Sequence, residues 1–240
     1  MREFRGKTAV ITGAASGIGL GLAKRFAEEG MRLVLADVEE PALEEARAAL
    51  ETSGSEVVAK KTDVSNFEEV EALADLAYET FGVVNLLCNN AGVGTACALW
   101  CCTLDDWKWI LGVNLWGVIH GVKAFVPRMI EQGADAHVLN TASVAGLVSG
   151  PQLGIYATSK FGVVALSEAL YYDLRMAGHN IGVSVLCPGF VRTRIAEAAR
   201  NRPPELSEGA AQDWVASDAA KQIIAAGMEP SEVASIVVNA

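Results

Sequence analysis

Tyr156 and Lys160 are the two residues whose types and spacing point most directly to proton chemistry. They are four residues apart, so on a helix both side chains lie on one face, with an ammonium near a phenol oxygen. A free phenol titrates at about pH 10, and a fixed positive charge nearby lowers its pKa towards neutrality. Ser143, which follows a strand-like run, is placed to hydrogen-bond the same substrate oxygen. The alternative for such a Tyr and Lys is an ordinary surface pair.

A strand, a loop and the start of a helix must position these three side chains. The apolar run 137–140 predicts a buried strand, and helical periodicity resumes near Tyr156 after three glycines and a proline. Similar strand-like runs cover residues 8–11, 33–36, 57–60, 86–88 and 183–187. Helical patterns lie between most of the runs, which predicts an α/β fold: a Rossmann-type, doubly wound parallel sheet of six strands with helices on both faces. Ligands bind such a sheet beyond the carboxyl ends of its strands.

Length and composition predict one domain over residues 1–240. The chain has 51% hydrophobic and 20% charged residues, with no linker, repeat or low-complexity tract. A net charge of −10 disfavours nucleic acids and anionic membrane surfaces as partners. The N-terminus has no signal-peptide pattern, and no uninterrupted apolar run approaches the ~20 residues that span a bilayer. We therefore expect a cytoplasmic protein.

The cysteines and histidines do not show a metal-binding pattern. Cys97, Cys101 and Cys102 lie close together in the sequence, but no His or Asp pattern beside them completes a zinc site. The five cysteines are an odd number without the spacing of a disulfide framework. We therefore expect reduced thiols and no metal.

A glycine-rich stretch, T-G-A-A-S-G-I-G, occupies residues 12–19 and leads into a helix predicted over 20–29. Its glycines permit a tight turn and a close backbone approach to a pyrophosphate, and the helix N-terminus offers free N–H groups to that anion. The spacing is G-x-x-x-G-x-G rather than the general dinucleotide fingerprint. The residues expected to contact a cofactor here are Gly13, Ser16, Gly17, Ile18 and Gly19.

Asp37 ends the second predicted strand, 18 residues after Gly19. A carboxylate at this position accepts hydrogen bonds from an adenosine ribose and repels a 2′-phosphate. Residues 14, 15, 16 and 38 supply no cation for that phosphate, so NAD is expected in preference to NADP. The alternative role of Asp37 is to cap the helix that begins near Pro41.

Polar residues also follow the third and fourth predicted strands. Asp63 and Val64 come after the third, and C-N-N-A-G at 88–92 comes after the fourth. Small polar side chains at these positions suit contacts to adenine and to a cofactor ribose, and they are equally common in Asx turns. The candidate cofactor contacts in the second segment are Asn90, Ala91 and Gly92.

Residues 104–129 form a long helical pattern that is apolar almost all round, with Asn114 at its centre. A buried amide must find hydrogen-bond partners, so Asn114 either supports the local backbone or belongs to the site. This pattern and the helix predicted over 157–177 carry more apolar surface than one sheet face covers, which predicts a homo-oligomer, a tetramer or dimer.

These motifs together resemble the short-chain dehydrogenase/reductase family. The stretch at 12–19, C-N-N-A-G, Asn114, Ser143, Y-A-T-S-K at 156–160 and C-P-G at 187–189 occur in that family's order and spacing. The resemblance implies a Rossmann-type fold, NAD(P) binding and hydride transfer to or from a carbonyl carbon. It implies a catalytic tetrad of Asn114, Ser143, Tyr156 and Lys160, in which Lys160 also holds the nicotinamide ribose and Asn114 completes a water-linked proton relay. The further cofactor contacts that it implies are Pro188, Gly189, Val191 and Thr193.

A finer similarity concerns the substrate. The segments V-N-L-W-G-V-I-H-G and N-R-P-P-E-L look like those of family members that act on bulky or aromatic secondary alcohols. Residues 190–228 are expected to form a substrate lid. The side chains proposed to line the substrate pocket are Val144, Leu147, Phe190, Ile195 and Trp214, with Trp100 a further candidate.

Two alternatives to an alcohol dehydrogenase or carbonyl reductase remain open. One is a non-catalytic nucleotide-sensing or scaffold protein on this fold, and the other is a lyase or epimerase that uses the cofactor transiently. The end of the chain also departs from the family pattern. Family members usually close with a further strand, whereas residues 236–240 read as the end of a helix that starts near Ser231. Either the sheet has six strands, or a tail with a seventh strand is missing.

Overall fold

The computed structural model describes residues 3–206 and 217–240, and its centre is one parallel sheet. Six strands lie in the order β3-β2-β1-β4-β5-β6, and every neighbouring pair is parallel. Each strand lies within two residues of its predicted position. Their bounds are β1 Thr8–Thr12, β2 Arg32–Asp37, β3 Val57–Lys61, β4 Leu86–Asn89, β5 Ala136–Thr141 and β6 Ile181–Leu186.

Eight α-helices in the described residues connect and cover these strands. They are α1 Gly17–Glu28, α2 Glu40–Thr52, α3 Phe67–Phe81, α4 Leu104–Leu111, α5 Gly117–Gln132, α6 Gly154–Met176, α7 Asp218–Ala225 and α8 Pro230–Asn239. Helices α1, α2 and α8 pack on one face of the sheet, with Leu22, Phe26 and Leu43 in that core. Helices α3, α5 and α6 pack on the other, around Leu73, Phe125 and Met129. The sheet is thus covered on both faces, as its near-continuous apolar strands predict.

The helix predicted over 104–129 is not one continuous α-helix. A π-helical turn, Gly112–Trp116, separates α4 from α5, and the helical stretch continues to Gln132. A π turn inserts one residue and so rotates the helix face that follows it, but this stretch is apolar almost all round and its sequence pattern does not reveal the insertion. By length and composition alone, Leu104–Gln132 would be a candidate membrane span, but half of its most apolar window is buried inside this fold. Its apolar character is that of a helix packed on the sheet.

The last helix, α8, begins one residue before the predicted start and lies against α1. Its side chains Val233 and Ala234 are buried. Where the two helices come close together, α1 has Gly21. A Cβ at this position would lie 2.7 Å from the carbonyl oxygen of Pro230. Among the described residues, β6 is an edge strand of the sheet.

The expectation that all the cysteines are reduced is wrong for two of them. Cys97 and Cys102 form a disulfide in the segment between β4 and α4, with their Cα atoms 6.0 Å apart. Cys88, Cys101 and Cys187 are free thiols, and Cys101 is exposed. Sequence spacing missed the pair because the pairing depends on how the intervening turn folds back on itself.

Candidate active site

A cavity of about 550 Å³ lies beyond the carboxyl ends of the strands. The first loop in its wall follows β1 and contains closely packed glycines. A larger residue at these positions would force the neighbouring backbone to move. Gly13 has φ +67°, and a Cβ on it would lie 2.8 Å from the Cα of Ala91. A Cβ on Gly19 would lie 2.0 Å from the carbonyl oxygen of Gly13. The glycine-rich loop therefore packs tightly against both the segment after β4 and its own helix.

Helix α1 begins at Gly17, three residues earlier than predicted, and its N-terminus faces the cavity. Ser16 is the N-cap residue, but its side chain makes no capping hydrogen bond. The first N–H groups of the helix are thus not satisfied by that side chain and carry the positive end of the helix dipole. This arrangement suits a pyrophosphate.

Asp37 is buried where β2 ends, and its two oxygens accept different backbone hydrogen bonds. One accepts from the N–H of Ala15 at 3.0 Å and the other from the N–H of Glu39 at 3.0 Å. Burial raises the pKa of this carboxyl, and the two backbone bonds offset part of that rise. A carboxylate has about four lone-pair sites, so two remain for a ribose. Asp37 therefore supports both the glycine-rich loop and the turn before α2, whereas the N-cap residue of α2 is Glu39, so the capping alternative for Asp37 is wrong.

Thr12 is a site residue that sequence reading missed. Its hydroxyl oxygen accepts hydrogen bonds from the N–H groups of Asn90 at 2.9 Å and Ala91 at 3.0 Å. The Asn90 amide donates in turn to the carbonyl oxygen of Thr12 at 2.9 Å, and Thr141 donates to Asn90 at 3.2 Å. Three adjacent strand ends are thereby joined. The available signal was a threonine that closes the first strand directly before the glycine-rich turn.

Asp63 and Val64 line the cavity after β3, as predicted. One Asp63 oxygen accepts from the N–H of Ser65 at 2.9 Å and from its hydroxyl at 2.7 Å. This is an Asx-type turn, which was the alternative interpretation. The Asp63 N–H donates to Glu69 at 2.8 Å. These bonds fix the turn that follows β3 at the cavity wall.

Ser143, Tyr156 and Lys160 converge on the same cavity. Ser143 follows β5 and begins a short 3₁₀ turn, Val144–Gly146, whose Ala145 N–H donates to the Ser143 hydroxyl at 3.1 Å. Tyr156 and Lys160 lie one turn apart on α6. The Lys160 ammonium donates to the carbonyl oxygen of Thr141 at 2.9 Å. Strand β5 and helix α6 thus deliver the three groups that the sequence singled out.

The pKa of Tyr156 does not follow the sequence-based expectation. Burial raises it, and the hydrogen bond with Ser143 offsets part of the rise. The same burial lowers the pKa of Lys160 to about 8, because an ammonium loses its hydration there. For Tyr156, loss of water outweighs the hydrogen bond with Ser143, and for Lys160 it outweighs the charge of Cys187. Tyr156 is accordingly a neutral acid at pH 7.

Asn114 lies behind the cavity wall, in the π-helical turn, and is fully buried. Its amide oxygen accepts from the N–H of Val93 at 2.8 Å, and its amide nitrogen donates to the Val93 carbonyl at 2.9 Å. A third bond runs to the Ser159 hydroxyl at 3.1 Å. The side chain therefore bonds the backbone of the segment after β4 rather than that of its own helix.

The residues predicted to contact the cofactor lie in or directly behind the wall of one cavity. All the predicted cofactor contacts except Gly19 line the cavity, and Gly19 lies directly behind Gly13. Those in the wall are Gly13, Ser16, Gly17, Ile18, Asp37, Asp63, Val64, Asn90, Ala91, Gly92, Tyr156, Lys160, Pro188, Gly189, Val191 and Thr193. The close backbone approach at the glycines, the helix N-terminus and the buried carboxylate together fit a dinucleotide such as NAD.

The substrate-side predictions hold in part. Val144, Phe190 and Ile195 line the cavity. Leu147 and Trp100 do not, and they are 60% and 89% exposed, so the proposal that they form the pocket wall is wrong for this structure. Trp214 lies outside the described residues. Side chains that sequence reading missed also line the apolar end, among them Trp109, Val148, Leu153 and Leu206.

The lid predicted over 190–228 contains, in the part described, two 3₁₀ turns and α7. The turn Arg194–Asn201 lines the cavity and contacts the loop after β2, where Arg200 pairs with Glu39. The second turn is anchored by Arg202, which pairs with the buried Asp106 at 2.5 Å. Within residues 3–206 and 217–240, no cluster of His, Cys, Asp or Glu side chains could hold a metal ion.

Comparison with known proteins agrees with this geometry. A family model described as short chain dehydrogenase matches residues 7–204. The chain is 42% identical over 193 residues to 1-deoxy-11-beta-hydroxypentalenate dehydrogenase of Streptomyces exfoliatus, covering 80% of this chain and 70% of that protein. It is 36% identical over 239 residues to C alpha-dehydrogenase of a Sphingobium species, covering 99% and 78%. A short-chain dehydrogenase/reductase from Burkholderia phymatum, solved in complex with NAD, superposes with a TM-score of 0.96 at 50% identity, covering 100% of this chain and 86% of that one.

Proposed function

Because the chain belongs to the short-chain dehydrogenase/reductase family and is an oxidoreductase of that kind, we propose that it transfers hydride between NAD(H) and a secondary alcohol or ketone. The observation that carries this proposal is the convergence of Ser143, Tyr156 and Lys160 on the cavity that the glycine-rich loop and Asp37 also line. A proton-transferring group and a dinucleotide site in one cavity are what this reaction requires.

The residues that hold the cofactor follow from the site. The glycine-rich loop and the N-terminus of α1 take the pyrophosphate, and Asp37 takes the adenosine ribose. Lys160 and Thr193 serve the nicotinamide ribose and carboxamide. Bound NAD supplies the hydride acceptor in alcohol oxidation, and NADH the donor in ketone reduction.

Tyr156 exchanges a proton with the substrate oxygen. In reduction the phenol donates its proton to the forming alkoxide, and in oxidation the phenolate removes the hydroxyl proton. The raised pKa keeps the phenol protonated at pH 7, so it stands ready as the acid for reduction. Ser143 bonds the same oxygen, and Lys160, uncharged only above about pH 8, stabilises the phenolate electrostatically. Asn114 positions the cavity wall by holding both backbone groups of Val93. Its main chain takes part in a water-linked proton relay.

The substrate that fits is a secondary alcohol with a bulky apolar skeleton. Apart from Ser143 and Tyr156, the wall beside the reacting groups consists largely of apolar side chains: Trp109, Val144, Val148, Leu153, Phe190, Ile195 and Leu206. Burial of apolar surface stabilises a complex by about 25 cal/mol per Å². A large carbon skeleton therefore binds best. The relative from Streptomyces is named for a hydroxylated substrate, which supports a hydroxyl-bearing skeleton here.

We propose further that the protein is cytoplasmic and assembles with copies of itself. Large apolar side chains are exposed on α6 and beside α5, among them Trp116, Phe161 and Tyr172. Exposed apolar groups of this size on neighbouring helices are typical of a subunit interface.

The test is to measure NADH formation from NAD with a panel of aliphatic, aromatic and polycyclic secondary alcohols, and NADH consumption with the matching ketones. We expect turnover with at least one bulky alcohol. A lyase or epimerase would convert its substrate with no net change in NADH. A nucleotide-sensing protein would bind NADH without turnover of any compound in the panel.

A further inference from the structure

Glu39 connects the loop after β2 to the lid across the adenosine end of the cavity. One Glu39 oxygen accepts from Arg200 through Nε at 3.0 Å and Nη2 at 2.5 Å, and from Asn201 at 3.0 Å. Its other oxygen lies 3.5 Å from Nη1 of Arg194. Arg200 is 161 residues away in sequence, so this contact exists only in the folded chain. The hydrogen bond from Arg200 is the main cause that lowers the pKa of Glu39.

These groups lie beside the position that distinguishes the two nicotinamide cofactors. Asp37, Val38, Glu39, Arg194 and Arg200 all line the same cavity. Sequence reading examined positions 14, 15, 16 and 38 for a cation and found none. The fold brings two guanidinium groups to this end of the cavity from the lid, and guanidinium is the side chain that best recognises a phosphate.

Glu39 is the carboxylate that these two guanidinium groups share. Arg194 has a second partner in Glu197, at 3.0 Å, whereas the remaining bonds of Arg200 go to the carbonyl oxygens of Arg194 and Glu197. Loss of the Glu39 charge would therefore leave Arg200 with no carboxylate among the contacts described. Its positive charge would then be available to a phosphate that enters beside Asp37.

We propose that Glu39 is a specificity-determining residue, which excludes the 2′-phosphate of NADP by occupying Arg194 and Arg200. Asp37 repels that phosphate and bonds the 2′-hydroxyl, while Glu39 keeps two arginines from attracting the phosphate. This inference rests on the proposed use of a nicotinamide dinucleotide. Glu39 is then a second residue, beside Asp37, that determines which cofactor binds. It acts by neutralising two arginines rather than by contacting the ribose.

Calorimetric titration with NAD⁺, NADP⁺, 2′,5′-ADP and 5′-ADP tests the inference without turnover. In Glu39→Gln, which keeps an amide oxygen as acceptor and removes the charge, the ratio of the NADP⁺ Kd to the NAD⁺ Kd should fall by roughly tenfold or more. The ratio of the 2′,5′-ADP Kd to the 5′-ADP Kd should fall in parallel. The effect should shrink as salt is added, because the gain is electrostatic.

Two further variants decide the cause. Glu40→Gln removes the same charge from an exposed residue one position further on, and it should leave both ratios unchanged. Glu39→Gln combined with Arg200→Gln should lose most of the gain, because Arg200 is then absent and Arg194 still pairs with Glu197. An unchanged ratio in Glu39→Gln, or a gain that persists without Arg200, would overturn the inference. Wild-type protein that binds NAD⁺ but turns over no alcohol would refute the proposed function alone, whereas protein that binds neither nucleotide would refute both.

Discussion

The Lys160 ammonium lies 5.8 Å from the centre of the Tyr156 ring. Its direct hydrogen bond goes to Thr141, at the end of β5, rather than to a carboxylate. The ammonium is therefore positioned by the sheet, and the phenol by its helix and by Ser143. The relative position of the two groups therefore depends on how α6 packs against β5.

Tyr156→Phe removes only the phenol oxygen and keeps the ring. We expect kcat/KM to fall by at least ~10²-fold while NADH still binds, because general acid–base catalysis contributes about that much. Steady-state rates and NADH fluorescence titration measure the two effects. Tyr172→Phe, an exposed tyrosine on the same helix, is the control and should have wild-type rates. Catalysis by Tyr156→Phe within about tenfold of wild type would refute the central claim.

Lys160→Met should change how stability depends on pH. The pKa of Lys160 is lowered from 10.5 to about 8, so between these values the unfolded chain binds more protons than the folded chain. Wild-type stability therefore gains from Lys160 as pH rises through that window, and below about pH 8 the buried charge is a cost. The methionine variant should gain most, relative to wild type, at pH 7, and this advantage should shrink towards pH ~10.

Urea unfolding at a series of pH values measures this difference. Lys24→Met, which replaces an exposed lysine on α1, should show no such trend relative to wild type. A difference between wild type and Lys160→Met that stays constant from pH 7 to pH ~10 would mean that Lys160 is charged in the folded protein throughout.

Asp37 should set a preference for NAD over NADP on the order of a hundredfold in kcat/KM, since a lost hydrogen bond and an added repulsion multiply. Asp37→Ser should reduce that preference. Asp37→Asn is the matched variant, because it keeps an acceptor for the Ala15 N–H and removes only the charge. We would compare kcat/KM for NAD and NADP in all three proteins. Equal efficiency in wild type, or an unchanged ratio in both variants, would reduce Asp37 to a support for the loop.

The Cys97–Cys102 disulfide should leave three of the five cysteines reactive in the denatured, unreduced protein. Thiol titration in guanidinium measures that number, and five reactive thiols would contradict the pairing. A short closed loop of this kind stabilises the fold by about 2 kcal/mol in the chain-entropy account. Replacing both cysteines by serine should lower the free energy of unfolding accordingly, whereas Cys101→Ser should leave the disulfide intact.

Light scattering should give a mass of at least twice 25.3 kDa at micromolar concentration. The exposed apolar side chains on α6 and beside α5 are the reason. Phe161→Asp places a charge among them and should lower the mass towards the monomer value. Lys24→Asp, on the opposite face of the sheet, should not. A wild-type monomer would refute the proposed assembly.

Most of the fold could be predicted because its signals are local. Apolar runs and the helical patterns between them identify each strand. The glycine-rich stretch marks the turn from β1 into α1. The π turn Gly112–Trp116 could not be predicted, because the segment is apolar almost all round and an inserted residue leaves no visible change in such a pattern. It matters for the site, since Asn114 lies within it and bonds both backbone groups of Val93.

The parts of the site that escaped prediction depend on contacts distant in sequence or on burial. Glu39 and Arg200 meet only because the lid returns to the loop after β2. The expected fall in the pKa of Tyr156 was reversed because sequence shows the nearby lysine but not the loss of water around both groups. Leu147 and Trp100 are apolar, yet both are largely exposed and neither lines the cavity.

The contact between α1 and α8 has a consequence for how the chain folds. These are the first and last helices of the described fold, and α8 covers the face of the sheet that β1 and α1 begin. During synthesis, that face stays partly uncovered until α8 has emerged. Contacts this far apart in sequence form slowly, because a long loop must close before they contribute. The apolar surface that α8 covers therefore stays exposed until that helix has been made and has docked on α1.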